Sequence, residues 1–157
     1  KKLKRIKIIL NEIENFNDEK NINFYGGPLK LIFQNSIKKP IFGIDYYKSI
    51  NNSKNSLNIH TEGCGDCSGN IRLFEITGLR SCMISEKFQN MEHLFEDGKE
   101  YVSYNSIEEL EEKINFLRNN PREAQIIAKN GFEKTMNYHT DKTRSEEYID
   151  TLKKLLI

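Results

Sequence analysis

Helix-like and strand-like segments alternate along this chain, and that alternation leaves few folds open. Leu3, Ile6, Leu10 and Ile13 recur at three- and four-residue spacing, the stripe of an amphipathic helix. Residues 22–25 alternate and stop at Gly26-Gly27-Pro28, a strand ending in a turn. Residues 29–37 are short and mixed and suggest a helical turn. Residues 40–43 read as a second strand, with Asp45 capping a helix through Tyr46, Tyr47 and Ile50. Residues 56–60 read as a third strand, followed by a Gly- and Cys-rich loop from Thr61 to Gly69. Helical spacing resumes at Asn70 and carries Ile71, Phe74, Ile76 and Leu79. Residues 81–85 make a fourth strand. A short helical piece at 92–95 closes at Asp97-Gly98, and residues 101–104 make a fifth strand. The remainder is helical. Ser106 and Glu109 form a capping box for a helix through Arg118. Pro121 starts a helix expected to end near Gly131 or a few residues on. Asp141 begins the last, with Tyr148, Leu152 and Leu155 as its apolar stripe. Right-handed crossovers turn this order into an α/β fold, a doubly wound parallel sheet with helices on both faces and a helical C-terminal tail.

The 157 residues suit one domain, here taken as 1–157. Lys and Arg total 24 against 23 Asp and Glu, so net charge gives no bulk attraction to nucleic acid or membrane. The basic start, Lys1 to Lys7, is soon balanced by Glu12, Glu14, Asp18 and Glu19 and reads as a solvated helix face. No apolar run approaches the roughly 20 residues of a membrane span, and no signal-peptide pattern is present. Three cysteines make no disulfide framework, which points to a reducing cytoplasm. The chain begins in a charged stretch without an initiator Met and reads as part of something longer.

In a parallel sheet, ligands bind beyond the carboxyl ends of the strands. The loop after His60 is the most unusual candidate, with Gly63, Gly65 and Gly69 close together. Glycines let backbone approach a ligand. This loop feeds a helix expected to be capped by Ser68 or Asn70, and a helix start favours phosphate. Arg72 and Glu75 are three apart and share a face. Arg pairs with phosphate oxygens, and Glu accepts ribose hydroxyls. Together they suggest a nucleoside diphosphate site. An ordinary loop with an intrahelical Arg–Glu pair fits the same residues.

The order Asn58-Ile-His60, Ser68-Gly-Asn-Ile-Arg-Leu-Phe-Glu75 and Gly78 resembles the C-terminal domain of GT-B glycosyltransferases of the group 1 type. It is most similar to the branch with spore-maturation-type bacterial transferases. Glu92-His-Leu-Phe-Glu-Asp-Gly98, Ser106-Ile-Glu-Glu-Leu110, Asn120-Pro121, Ala128-Lys-Asn-Gly131 and His139-Thr140 with Arg144 follow in the family's order. The resemblance runs from about Phe24 to Leu155. It implies the Rossmann-like half of a GT-B fold that holds a UDP- or GDP-type sugar, beside an N-terminal domain that holds a glycan, lipid or protein acceptor. Glu75 would bind the ribose, and Ser68, Gly69, Asn70, Ile71 and Arg72 would lie at the diphosphate. Arg72 would stabilise the departing charge, as the catalytic residue. His60 and the strand ends near Gly26, Gly43 and Ile44 complete the expected substrate site. Retaining relatives often carry an acidic residue eight positions before the ribose glutamate; Cys67 stands there, which unsettles a retaining mechanism. The expected location is the cytoplasm, with a peripheral place at the inner membrane face left open. The isolated chain would be inactive.

Two other classes fit the alternation of helices and strands. A receiver-type or flavodoxin-like signalling domain would need acidic strand ends, where this chain offers Tyr25, Gly43 and His60. A degenerate transferase scaffold would keep the fold without the ligand. His60, Cys64 and Cys67, with Cys82 or His93, could hold zinc, but structural zinc sites show two close ligand pairs and only one is present. Neither a metal nor a cofactor is therefore expected. Phe42, Tyr46 and Tyr47 read as core rather than base-stacking residues. His93 reads as a surface helix residue and His139 as structural.

Overall fold

The computed structural model describes Phe24–Tyr25, Ile37–Lys38, residues 41–60, Cys67 and residues 69–156. The chain divides into two compact units between Lys48 and Ser49. In the first, β1 (Phe24–Tyr25) pairs in parallel with β2 (Ile37–Lys38). The helix expected over residues 3–13 lies outside the described residues, as do Pro40 and most of the helical turn expected before Ile37. Ile41 and Phe42 are not in a strand; Gly43 turns instead, with φ +59°. This left-handed turn opens α1 (Ile44–Asn51) two residues earlier than a cap at Asp45 would, so Asp45 lies in the first turn. A carboxylate there is favoured by the helix dipole. Phe42 and Tyr47 are exposed rather than core residues.

The second unit holds a three-stranded parallel sheet in the order β3 (Asn55–Asn58), β4 (Cys82–Glu86), β5 (Val102–Tyr104). Between β3 and β4 lies α2 (Arg72–Gly78), and a 3-10 turn (Met91–His93) precedes β5. Every residue of β4 is buried. A strand covered on both faces loses the alternation of a half-exposed one, which explains the run Cys-Met-Ile. Burial pushes the Cys82 thiol up to about 12.

Three helices follow: α3 (Ile107–Asn119), α4 (Pro121–Tyr138) and α5 (Asp141–Leu155). The α3 cap differs in detail from a capping box. Ser106 Oγ accepts from Glu109 N at 3.1 Å, but the Glu109 carboxylate reaches past Ser106 to Asn105 N at 2.8 Å. Thr140 caps α5, accepting from Thr143 N at 3.3 Å.

α4 runs through Gly131 and on to Tyr138, past the end expected at that glycine or a few residues on. Glycine inside a helix costs about 1 kcal/mol against alanine, so its place needs a packing reason. A Cβ on Gly131 would overlap the Glu100 carbonyl oxygen and crowd Thr77 Cγ2 at 3.3 Å. Gly131 thus marks close approach, not a helix stop. Along the same face Ala124, Ile127, Ala128 and Thr135 are buried. Thr77 and Thr135 share a buried hydrogen bond of 2.6 Å, which ties α2 to α4.

His139 closes α4. Its ring packs against Phe74 and Phe95, with centroids at 5.1 and 5.3 Å. Nε2 donates to Leu94 O at 3.1 Å, and Nδ1 accepts from Arg144 Nη2 at 2.8 Å. By contrast α5 buries no residue, and its stripe of Tyr148, Leu152 and Leu155 is exposed.

Gly131→Ala is expected to lower stability by about 1–3 kcal/mol despite its better helix propensity, because the carbonyl beneath cannot yield cheaply; urea unfolding measures it. His139 carries a second expectation. Burial, then the charges of Arg144 and Lys134, hold its proton affinity below the ordinary 6.5, outweighing the Leu94 carbonyl and Glu100. The unfolded chain therefore takes up the proton first, so stability is full above 6.5 and falls as acid is added. His139→Gln should flatten the fall in urea midpoint between about pH 7.5 and 5.

Candidate functional site

β3 and β4 end side by side, with Asn58 in register with Ser85. Side chains two apart on extended chain share a face, so Asn58 and His60 point the same way. The result is a buried polar cluster at the carboxyl end of the sheet. Asn58, His60 and Ser85 are each at most 1% exposed. Asn58 Nδ2 lies 3.0 Å from His60 Nε2 and 3.3 Å from Ser85 Oγ. His60 Nε2 and Ser85 Oγ are 3.2 Å apart. Phe88 meets the imidazole edge-on at 4.5 Å.

Asn70 joins this cluster from the far side of the loop. Its Nδ2 lies 3.1 Å from Asn58 Oδ1 and 3.1 Å from His60 Nδ1. A neutral imidazole accepts at one ring nitrogen only. Two amides flank the ring, so one donates to it and the other donates past it. Each has that second acceptor: Asn58 Oδ1 for Asn70, and Ser85 Oγ for Asn58.

α2 starts directly above. The sequence favours a cap at Ser68 or Asn70, but Ile71 occupies the N-cap position and no side chain caps the helix. The reason is visible in Asn70, whose amide is committed to the cluster below. The backbone still winds: Leu73 N bonds Asn70 O at 3.3 Å, and Phe74 N bonds Ile71 O at 3.0 Å. Ile71 and Arg72 are exposed, and Glu75, one turn on, is half-buried.

The expected site residues therefore fall into groups. His60 and Asn70 come together, turned inward. Ile71, Arg72 and Glu75 lie on the first turn of α2, and Gly69 precedes it with open space at its Cβ position. Gly43 and Ile44 belong to the first unit, where Gly43 holds its left-handed turn and Ile44 is exposed. Gly26 and Ser68 lie outside the described residues. Asn58 and Ser85 belong to the cluster although sequence reasoning gave them no site role. Their signal was the two-residue step from Asn58 to His60.

Among the described residues no group of three His, Cys, Asp or Glu could hold a metal ion. Cys82 starts β4 opposite Asn55, at the other end of the sheet from the loop, so it is not a fourth ligand there. His93 is exposed. Among the described residues no helix is long and apolar enough to cross a membrane.

Residues 5–150 match a family model described as glycosyl transferase-like. The chain belongs to this glycosyl transferase-like family. Its fold agrees, being the Rossmann-like half of a GT-B glycosyltransferase. HepE of Anabaena, solved in complex with UDP-glucose, aligns with a TM-score of 0.65 and 17% identity over 80% of this chain and 35% of HepE. The C-terminal domain of LpcC, a group 1 glycosyl transferase of Francisella tularensis, aligns with a TM-score of 0.50 and 16% identity, covering 72% of this chain and 59% of that one. At these identities the likeness is one of fold, and the chain spans about a third of the length of HepE. A search of curated proteins finds no significant match.

Asn58→Ala leaves Ser85, His60 and Asn70 short of a buried partner. It is expected to cost about 1–3 kcal/mol of stability, read from the urea midpoint at constant slope.

Proposed function

We propose that this chain binds the nucleoside-diphosphate sugar of a glycosyltransferase that passes the sugar to a glycan, lipid or protein acceptor. One observation carries the reading: the first turn of α2, with Arg72 exposed and Glu75 one turn on, stands at the carboxyl ends of two parallel strands. That is where α/β sheets bind nucleotides. In this reading the Ser68–Arg72 turn faces the diphosphate, and Arg72 neutralises charge on it as the sugar leaves. Glu75 accepts the ribose hydroxyls. His60 and Asn70 serve from below, since their polar atoms face inward.

A UDP- or GDP-type donor fits the resemblance, and HepE binds UDP-glucose. The acceptor site would belong to an N-terminal domain of the same protein, leaving this chain inactive alone. Its branch would be the one with spore-maturation-type transferases, on the order of motifs from Asn58 to Arg144. The two described cysteines, Cys67 and Cys82, are free thiols, which suits the cytoplasm.

Calorimetric titration with UDP and GDP tests the reading. One of them should bind, and Glu75→Ala should weaken it by about 10–100-fold, the loss of hydrogen bonds to a charged acceptor. Unfolding of Glu75→Ala should stay close to wild type. No heat with either nucleotide at millimolar concentration, or unchanged affinity in the variant, would overturn the assignment. The first outcome would favour a scaffold role.

A further inference from the structure

We propose that His60 is a positioning residue of this site: through Nδ1 it holds Asn70, and so sets where the first turn of α2 presents Arg72 and Glu75 to a nucleoside diphosphate. The inference rests on the donor-binding reading above.

The argument starts from the uncapped helix. α2 is short and has no side-chain cap, so its first turn has little of its own to fix it. What fixes it lies one residue earlier. The Asn70 carbonyl accepts from Leu73 N, so the turn is built on the Asn70 backbone. The Asn70 side chain is held 3.1 Å from both Asn58 Oδ1 and His60 Nδ1. Any slip of Asn70 is carried two residues on to Arg72. A site held within about half an ångström needs this kind of support.

The imidazole has two edges with separate tasks. Nε2 faces Asn58 and Ser85, within the strand pair. Nδ1 faces Asn70, on the turn. Phe88 packs against the ring and limits its tilt, which leaves the two edges pointing at fixed partners. The two tasks can be taken apart by substitution. Asparagine at position 60 keeps a polar atom near the place of Nδ1 and deletes the Nε2 end. Glutamine reaches the place of Nε2 and gives up Nδ1. If His60 only stabilises the sheet end, glutamine is the better replacement. If it positions Asn70, asparagine is.

The test compares His60→Asn, His60→Gln, Asn70→Ala and the double variant His60→Gln/Asn70→Ala in the whole chain. Affinity for UDP, or for GDP where GDP is the one that wild type binds, is measured by calorimetry, and amide exchange of Ile71, Arg72 and Leu73 by NMR without nucleotide. His60→Gln and Asn70→Ala should each lose about tenfold in that affinity, the order of one hydrogen bond. The double variant should lose little more than either single one, since both remove the same link. His60→Asn should stay within about threefold of wild type although its unfolding midpoint falls. Exchange at the three amides should quicken in His60→Gln and Asn70→Ala but not in His60→Asn. Equal losses in the two His60 variants, the reverse order, or additive losses in the double variant would overturn the proposal. If wild type binds neither UDP nor GDP, the donor reading fails by itself. The exchange pattern then decides: faster in His60→Gln than in His60→Asn sustains the positioning role, and equal rates overturn it. Asn70→Ala keeps the comparison open should His60→Gln fail to fold.

Discussion

The close approach of α4 to the residues beneath Gly131 governs this half of the molecule. Without a side chain at that position, the helix lies against the Glu100 carbonyl and within reach of Thr77. That contact lets Thr135 and Thr77 share a hydrogen bond, and so pins the rear of α2. The front of α2 is pinned differently, by Asn70 on the polar cluster of Asn58, His60 and Ser85. One end is held by tight packing and a single threonine hydrogen bond, the other by a network of amide and imidazole hydrogen bonds. A seven-residue helix held at both ends has little freedom to rotate.

This division suits a site that meets a charged ligand. Apolar packing behind α2 keeps Leu73, Ile76 and Thr77 dry. The exposed side of the first turn keeps Arg72 in water until something replaces it. Fixed donors and charges that need no rearrangement are what make such sites effective. The buried amides have no such freedom. Their nitrogens are met by acceptors within the cluster, while Asn70 Oδ1 is buried with no hydrogen-bond partner, and the cluster is expected to lose stability when any member is cut.

Much of this was legible in the sequence, for reasons that can be named. β4 stood out because a strand buried on both faces reads as an unbroken apolar run. α3 was marked by Ser106, whose hydroxyl does cap it. The order of strands and helices also carried the family. The misreadings share one cause: a residue type with two uses. Gly131 has the look of a helix stop, but it serves a contact with Glu100, some thirty residues back in the chain. Asn70 has the look of a cap, but its amide answers Asn58 on β3 and His60 just beyond it. Which way an amide turns depends on Asn58 and His60, and spacing along the chain does not report it. Phe42 and Tyr47 look like core residues, yet they are exposed.

The parallel pairing of β3 and β4 has an evolutionary side. No hairpin can join parallel strands, so a long connection between Asn58 and Cys82 is obligatory. Closing a loop costs only about 0.6 kcal/mol more for each doubling of its length. The register of the sheet is therefore nearly blind to how many residues lie between His60 and Asn70. Insertions and exchanges in that stretch, including whatever stands at Cys67, are cheap for the fold while they alter what the first turn of α2 meets. Selection can remodel the loop at little risk to the scaffold, provided His60 and Asn70 still find each other across it.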